Sequence, residues 1–357
     1  MGYKSPFAIH PGETLRDILK SEKMTQKQLS NRTGLHYVTI SNILAGKDPI
    51  TPETAVKLSL VFNISEGFWN NLQKKYDETN ARLSLEKEIK NEIDYFKKFT
   101  CYGELVKHKF LEDAEKIEEK AKNLLNFLGI ASYRLLPDNY RVAYRKTLNK
   151  QINKENLIAW LRCGEIKASE IETKNFNKSK LKSSLSEIRK MNLLDEDVYV
   201  KKLKQILANC GVSLVFIPYL KNTFVNGVTR WLNPQKALIQ LTPRNRYEDI
   251  LWFTLFHEIY HVLNHGKKVS YISFWEKDYT DKYYLKLEKE ADIFAENKLI
   301  SQKDWLRFKA KTKISESSIK KFAEEIGVKP GIVAGRLAKE TNKWSKYSKL
   351  RKKVSIV

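Results

Sequence analysis

The chain has 357 residues, 42% of them hydrophobic, enough for two or three domains with real cores. Lys and Arg outnumber Asp and Glu by 65 to 42, a formal net charge of +23. That excess favours a polyanionic partner, nucleic acid first, although a Lys-rich composition also follows from an AT-rich genome. The chain opens without a charged and then apolar leader and holds no run of about twenty apolar residues, which argues against a membrane and predicts a soluble, cytoplasmic protein. Cys101, Cys163 and Cys210 lie far apart without Cys-x-x-Cys spacing, so they build neither a zinc knuckle nor a disulfide framework and are expected as buried free thiols.

Residues 1–77 read as short helices broken by Gly-centred turns, with 10 Lys and Arg against 7 Asp and Glu. His10-Pro11-Gly12 opens a helix with Pro11 near its first turn. Thr25 is placed to cap the next helix, Gln28 to close a capping box and Gly34 to stop it. Another helix runs from His36 to Leu44 and is closed by Gly46; Leu29, Leu35, Ile40 and Ile43 hold the pair together as a helix-turn-helix. Its second helix would enter the major groove, offering Tyr37, Val38, Thr39, Ser41 and Asn42 to bases and phosphates, while Gln26 can donate to a phosphate. The alternative is a helical scaffold that binds protein, which the weak basicity of this stretch keeps open.

His10-Pro-Gly-Glu-Thr-Leu, Thr25-Gln-x-x-Leu, Ile40-Ser-Asn-Ile-Leu-Ala-Gly, Ile50-Thr-Pro-Glu-Thr-Ala-Val-Lys-Leu and Phe68-Trp-Asn-Asn-Leu-Gln73 together resemble the HigA-type antitoxin domain of the Cro/repressor class, over about Ser5 to Lys75. The resemblance implies binding to operator DNA as a homodimer, repression of its own promoter and neutralisation of a cognate toxin. Ser30 stands where that family usually has alanine against the turn.

From 78 to 210 the pattern is helical and charged and reads as a connector or scaffold: Ser84 as the N-cap of one helix, Ala114 to Phe127 as another, then Asn156 to Arg162, Ser183 to Met191 and Glu196 to Ala208. The lysines from Lys174 to Lys190 suit a phosphate backbone or a solvated surface equally. At Val212 the period becomes two. Val212 to Ile217, Gly227 to Trp231 and Lys236 to Leu241 predict a small antiparallel sheet whose exposed edge can hold an extended peptide, with Asn226 and Gly227 permitting close backbone approach.

The run that follows, Leu251 to Leu263, contains His257-Glu258-Ile259-Tyr260-His261. Residues four apart share one helix face, roughly 6 Å apart along the axis, so the two imidazoles can converge on one ion. A Zn²⁺ held by two histidines needs a third protein ligand and an open position, and Glu258 is the residue type that takes a proton from water attacking a carbonyl there. The helix is otherwise apolar, and buried polar groups want partners, which a metal would supply. A second amphipathic helix, Leu285 to Ile300, carries Glu288 and Asp292 at i, i+4: Glu288 is taken as the ligand and Asp292 as its support from the second shell, with Glu290, on another face, as the fallback. By itself, such a Glu-Lys-Glu-Ala-Asp run is more often a solvated face. His265, about 12 Å along the helix from His257, reads as a structural or capping residue, with Gly266 ending the helix.

Val225-Asn-Gly-Val-Thr-Arg-Trp, Asp249-Ile-Leu-Trp-Phe-Thr-Leu-Phe-His-Glu-Ile-Tyr-His, Glu288-Lys-Glu-Ala-Asp-Ile-Phe-Ala and Ile326-Gly-Val-Lys-Pro-Gly-Ile-Val-Ala-Gly-Arg-Leu337 resemble the ImmA/IrrE family of zinc metallopeptidases, over about Val212 to Leu337. The resemblance implies His257, His261 and an acidic residue of the downstream helix as ligands, Glu258 as the catalytic residue and repressor-type DNA-binding proteins as substrates. After it, a helix from Ser315 to Ile326 and a Pro330-Gly331 turn are expected to pack behind the site, and Lys343 to Lys353 forms a basic, aromatic-interleaved tail. The expected architecture is multidomain: an all-α helix-turn-helix domain (1–77), a helical connector (78–210), an α+β zincin-like metallopeptidase domain (211–340) and a basic tail (341–357). The expected function is a DNA-binding regulator or antitoxin with a zinc-dependent endopeptidase module acting on itself or a partner repressor. The alternative is a non-proteolytic HigA-type repressor-antitoxin whose zinc-site domain senses a signal or binds a toxin.

Overall fold

The computed structural model describes residues 5–136, 152–243, 247–265, 271–274, 282–310 and 314–356, and the chain divides into two compact units, Met1–Ile93 and Asp94–Val357. Gly266 and part of the expected connector lie outside the described residues.

The first unit is built from α1 (Pro11–Ser21), α2 (Gln26–Thr33), α3 (Tyr37–Leu44), α4 (Pro52–Phe62) and α5 (Glu66–Asn91). Its helix starts are written locally. The Thr25 hydroxyl accepts from the Gln28 N–H at 3.2 Å while the Gln28 side-chain oxygen accepts from the Thr25 N–H at 2.8 Å, a closed capping box. Thr51 and Ser65 cap the helices that end the unit. His10 Nδ1 accepts from the Gly12 N–H at 3.0 Å, and a Cβ on Gly12 would run into the Ile43 carbonyl, so His-Pro-Gly both starts α1 and lets it close on α3. Ser30 donates to the Leu35 carbonyl at 2.7 Å, adding a bond across the turn between α2 and α3. Leu15, Leu29, Ile40, Ile43, Leu58 and Trp69 form the core; each such side chain contributes about 1.5–3 kcal/mol on burial. Ser84 caps nothing, because α5 runs unbroken through it: no helix breaker lies between Phe68 and Asn91, and Arg82 pairs with Glu86 at 2.8 Å across one helical turn. The expected boundary at residue 77 therefore falls inside a helix.

In the second unit, α6 (Tyr102–Lys107), α7 (Ile117–Leu128), α8 (Lys154–Ser169), α9 (Lys178–Lys190) and α10 (Glu196–Asn209) precede β1 (Val212–Phe216), β2 (Val225–Asn233) and β3 (Lys236–Leu241). Then come α11 (Glu248–Asn264), β4 (Tyr271–Phe274), α12 (Lys282–Leu299), α13 (Gln302–Lys309), α14 (Glu316–Ile326) and α15 (Pro330–Thr341). The sheet order is β1-β3-β2-β4, with β3 parallel to β1 and antiparallel to β2, and β2 antiparallel to β4. The sheet is thus mixed rather than all antiparallel: a period of two marks a strand without naming its neighbour, and residues 217–224 carry the chain to the far side of β3. Gly227 is not on an edge, since β4 pairs there, Ser273 opposite Gly227 and Ile272 opposite Val228.

Alternation assigns the two faces. Ala237, Ile239 and Leu241 join one core with Phe256 and Ile259 of α11, while Gln240 turns the other way and donates to the Trp160 carbonyl of α8 at 2.6 Å. On β2, Arg230 pairs with Glu165 of α8 at 2.6 Å, and Gly227 and Thr229 face α11. Residues 94–210 do not form a connector. Leu181, Ile188, Tyr199, Leu203 and Leu207 belong to the same core as α11, and Arg189 donates to the carbonyls of Leu299 at 3.0 Å and Ile326 at 2.7 Å. A charged amphipathic pattern looks the same over a core as along a linker. Pro330 starts α15 as its first residue instead of turning the chain. The basic tail is built in as well, with Tyr347 and Val354 buried and Arg351 on Asp249 at 2.9 Å. The three cysteines are buried free thiols, and burial pushes that of Cys101 up to about 12. No helix among the described residues is long and apolar enough to cross a membrane.

Candidate functional site

The core-facing side chains of α11, among them Phe256 and Ile259, bury the helix, and His257, Glu258 and His261 are buried with it. Packed against it, α12 delivers Glu288 and Asp292. The Nε2 atoms of His257 and His261 lie 3.0 Å apart, and the Glu288 carboxylate places one oxygen 3.2 Å from each. Asp292 Oδ1 is 2.9 Å from His257 Nδ1, and His265 Nδ1 is 2.6 Å from His261 Nδ1. With these outer contacts holding the Nδ1 protons, both Nε2 atoms present bare lone pairs to the middle of the cluster.

Two lone pairs and a carboxylate at such distances repel one another unless a cation sits among them. A tetrahedral Zn²⁺ with bonds of about 2.0–2.1 Å spaces its ligand atoms by about 3.3 Å, close to the separations here. Glu288 Oε1 is moreover buried without a hydrogen-bond donor among the described residues. The protonation states agree: burial, against the pull of Glu288, lowers the His261 pKa to about 4, leaving it neutral at pH 7. Burial alone would raise the Glu288 carboxyl, but the two imidazoles outweigh it and hold the group well below the usual carboxylate range. Neutral imidazoles and an ionised carboxylate are what a metal requires, so the donor set fits zinc. Glu290 turns elsewhere: the Tyr260 hydroxyl donates to its Oε2 at 3.4 Å.

Glu258 points to the sheet. The Thr229 hydroxyl donates to its Oε2 at 2.7 Å, and a Cβ on Gly227 would sit 2.8 Å from its Oε1. The glycine therefore makes room for the carboxylate, where the sequence suggested room for a peptide backbone. Thr229 and His265 are contributors that spacing alone did not assign; Thr229 lies within the Val225 to Trp231 stretch but faces Glu258 only through the sheet. Beside His257 and Glu288 a cavity of about 350 Å³ opens between α11, α12 and α15.

In the first unit, Tyr37 and Val38 are 51% and 61% exposed at the start of α3. Thr39, Ser41 and Gln26 are partly buried, and Asn42 is engaged internally, its amide donating to Asp48 Oδ2 at 2.9 Å.

Residues 15–69 match the helix-turn-helix family, and residues 235–338 match the IrrE N-terminal-like domain of the M78 peptidase family. By these matches the chain belongs to the helix-turn-helix proteins through its first unit and carries an IrrE-like domain in its second. Within that class it is a fusion of a HigA-type helix-turn-helix domain with an ImmA/IrrE-type domain. It is 34% identical to a HigA-family addiction-module antidote protein from Coxiella burnetii, covering 24% of this chain and 95% of that one with a TM-score of 0.23. With the antitoxin HigA of Pseudomonas aeruginosa, described with the higBA promoter, the figures are 30%, 24%, 94% and 0.23. It is also 29% identical over 76 residues to the uncharacterized HTH-type transcriptional regulator YddM of Escherichia coli K12, which is 21% of this chain and 81% of that protein.

Proposed function

We propose that the chain is a cytoplasmic DNA-binding regulator or antitoxin whose second unit is a zinc-dependent endopeptidase that cleaves the chain itself or a partner repressor protein. The observation that carries this reading is the convergence of His257, His261 and Glu288 on one point beside the fully buried carboxylate of Glu258. Zn²⁺ bound by those three would lower the pKa of a water and polarise a peptide carbonyl. Glu258 takes the proton from the attacking water and passes it to the leaving amine. Thr229 fixes the orientation of that carboxylate, and Asp292 and His265 hold the two rings. Strand β4, beside β2, is the sheet edge that offers main-chain hydrogen bonds to an extended substrate.

The test compares the zinc-loaded protein with Glu258→Gln, each incubated with and without promoter DNA and the product of the neighbouring gene, and reads intact masses. Fragments that form with Glu258 and slow by about 10²–10⁴-fold in the variant are the expected result. If both proteins stay whole under every condition with zinc bound, the second reading takes over: a non-proteolytic repressor-antitoxin whose zinc-site domain senses a signal or binds a toxin. In favour of that reading, the first unit spans 95% of a HigA-type chain and needs no peptidase to complete it.

For the first unit we propose operator binding as a homodimer, with α3 in the major groove and Tyr37, Val38, Thr39 and Ser41 nearest the bases; Gln26 would serve a phosphate. Asn42, held by Asp48, would reach DNA only after exchanging that bond. Val38→Glu should weaken operator binding by about 10–100-fold in a mobility-shift assay. Unchanged affinity would move the contact off α3.

A further inference from the structure

We propose that the cavity beside the three ligands is the pocket that selects one large apolar or aromatic side chain of the peptide being cleaved. This rests on the peptidase reading, and it adds the substrate class. The cavity, about 350 Å³, runs from His257 and Glu288 at one end to Asp249 and Trp344 at the other. From His257 to Asp249 is two turns of α11, about 12 Å. Pockets for small molecules span about 300–1,000 Å³, so this one holds a single long side chain and not a folded element.

Its walls set the chemistry. Ile250 and Phe253 of α11, Leu299 at the end of α12 and Ile332 of α15 make them mainly apolar. The charges around them are already matched to each other. Lys339 reaches Glu296 at 3.3 Å and lies 4.3 Å over the Phe253 ring, and Arg336 approaches Glu296 at 3.7 Å and Glu340 at 3.5 Å. At the far end Arg351 holds Asp249 at 2.9 Å, its guanidinium 4.0 Å from the Tyr247 ring and 4.7 Å from that of Trp344. A charged side chain would have to displace one of these partners before it gained one, whereas an apolar side chain only leaves water. The tail that the sequence suggested for DNA thus closes the pocket and limits its depth. Because the near end is formed by His257 and Glu288, a residue seated here has its backbone beside the reacting centre.

The test is calorimetric binding of amino-acid hydroxamates, which chelate zinc and differ only in their side chains, to the zinc-loaded full-length protein. Leucine and phenylalanine hydroxamates should bind about ten-fold or more tightly than glycine and aspartate hydroxamates. Ile250→Trp, which fills the cavity from a half-buried position, should erase that difference while glycine hydroxamate binds as before, which also reports that the variant is folded. A flat series in the wild-type protein, whether all the probes bind or none does, overturns the pocket. A side-chain preference in binding without cleavage of any protein leaves the pocket standing and removes the peptidase reading, so the two failures are told apart.

Discussion

The two units differ in the reach of the contacts that define them. In the first, the decisive pairs are neighbours in sequence: Thr25 with Gln28, Ser30 with Leu35, Asn42 with Asp48. In the second they are remote, with Thr229 on Glu258, Asp292 on His257 and Arg351 on Asp249, separated by 29, 35 and 102 residues. Local contacts specify a small domain that forms a surface. Remote contacts build a buried centre, and such a centre fails when any one of its distant supports is lost.

That contrast can be broken by experiment. Trp69→Ala removes the largest side chain of the first core and should cost about 3–5 kcal/mol, abolishing operator binding near physiological temperature while zinc content stays unchanged. Loss of zinc in this variant would show that the centre does not depend on the second unit alone. Asp292→Ala removes the support of one ligand and should lower zinc affinity by about 10–100-fold in a chelator competition, with operator binding unaffected. An unchanged affinity would mean that the ring of His257 is held by packing. Thr25→Ala opens one local capping box and should cost about 1 kcal/mol in thermal unfolding, a small effect because the rest of the first core is intact.

The reach of the contacts also decides what could be read before the fold was known. The helix-turn-helix was legible because capping residues, the Gly34 stop and the apolar spacing all lie within about two dozen residues. His257, His261, Glu288 and Asp292 were legible because each pair follows the i, i+4 spacing of its own helix, though nothing in the spacing said that α12 packs on α11. Thr229 and His265 carried no signal of their own, since a threonine in a strand and a histidine at a helix end are ordinary. The sheet order and the fate of residues 94–210 stayed hidden for a related reason: periodicity tells which face is buried and not what buries it. Arg351 shows the same limit, for a basic tail gives no hint of a buried aspartate 102 residues earlier.

The account stands or falls on the cluster that α11 and α12 assemble. Its most direct test is the metal content, by elemental mass spectrometry, of zinc-equilibrated wild-type protein beside Glu288→Ala and His261→Ala. A single Zn²⁺ per wild-type chain, lost from both variants while each stays folded, is the predicted result. Wild-type protein without zinc, or variants that retain it in full, would contradict the metal centre and with it the proposed hydrolysis.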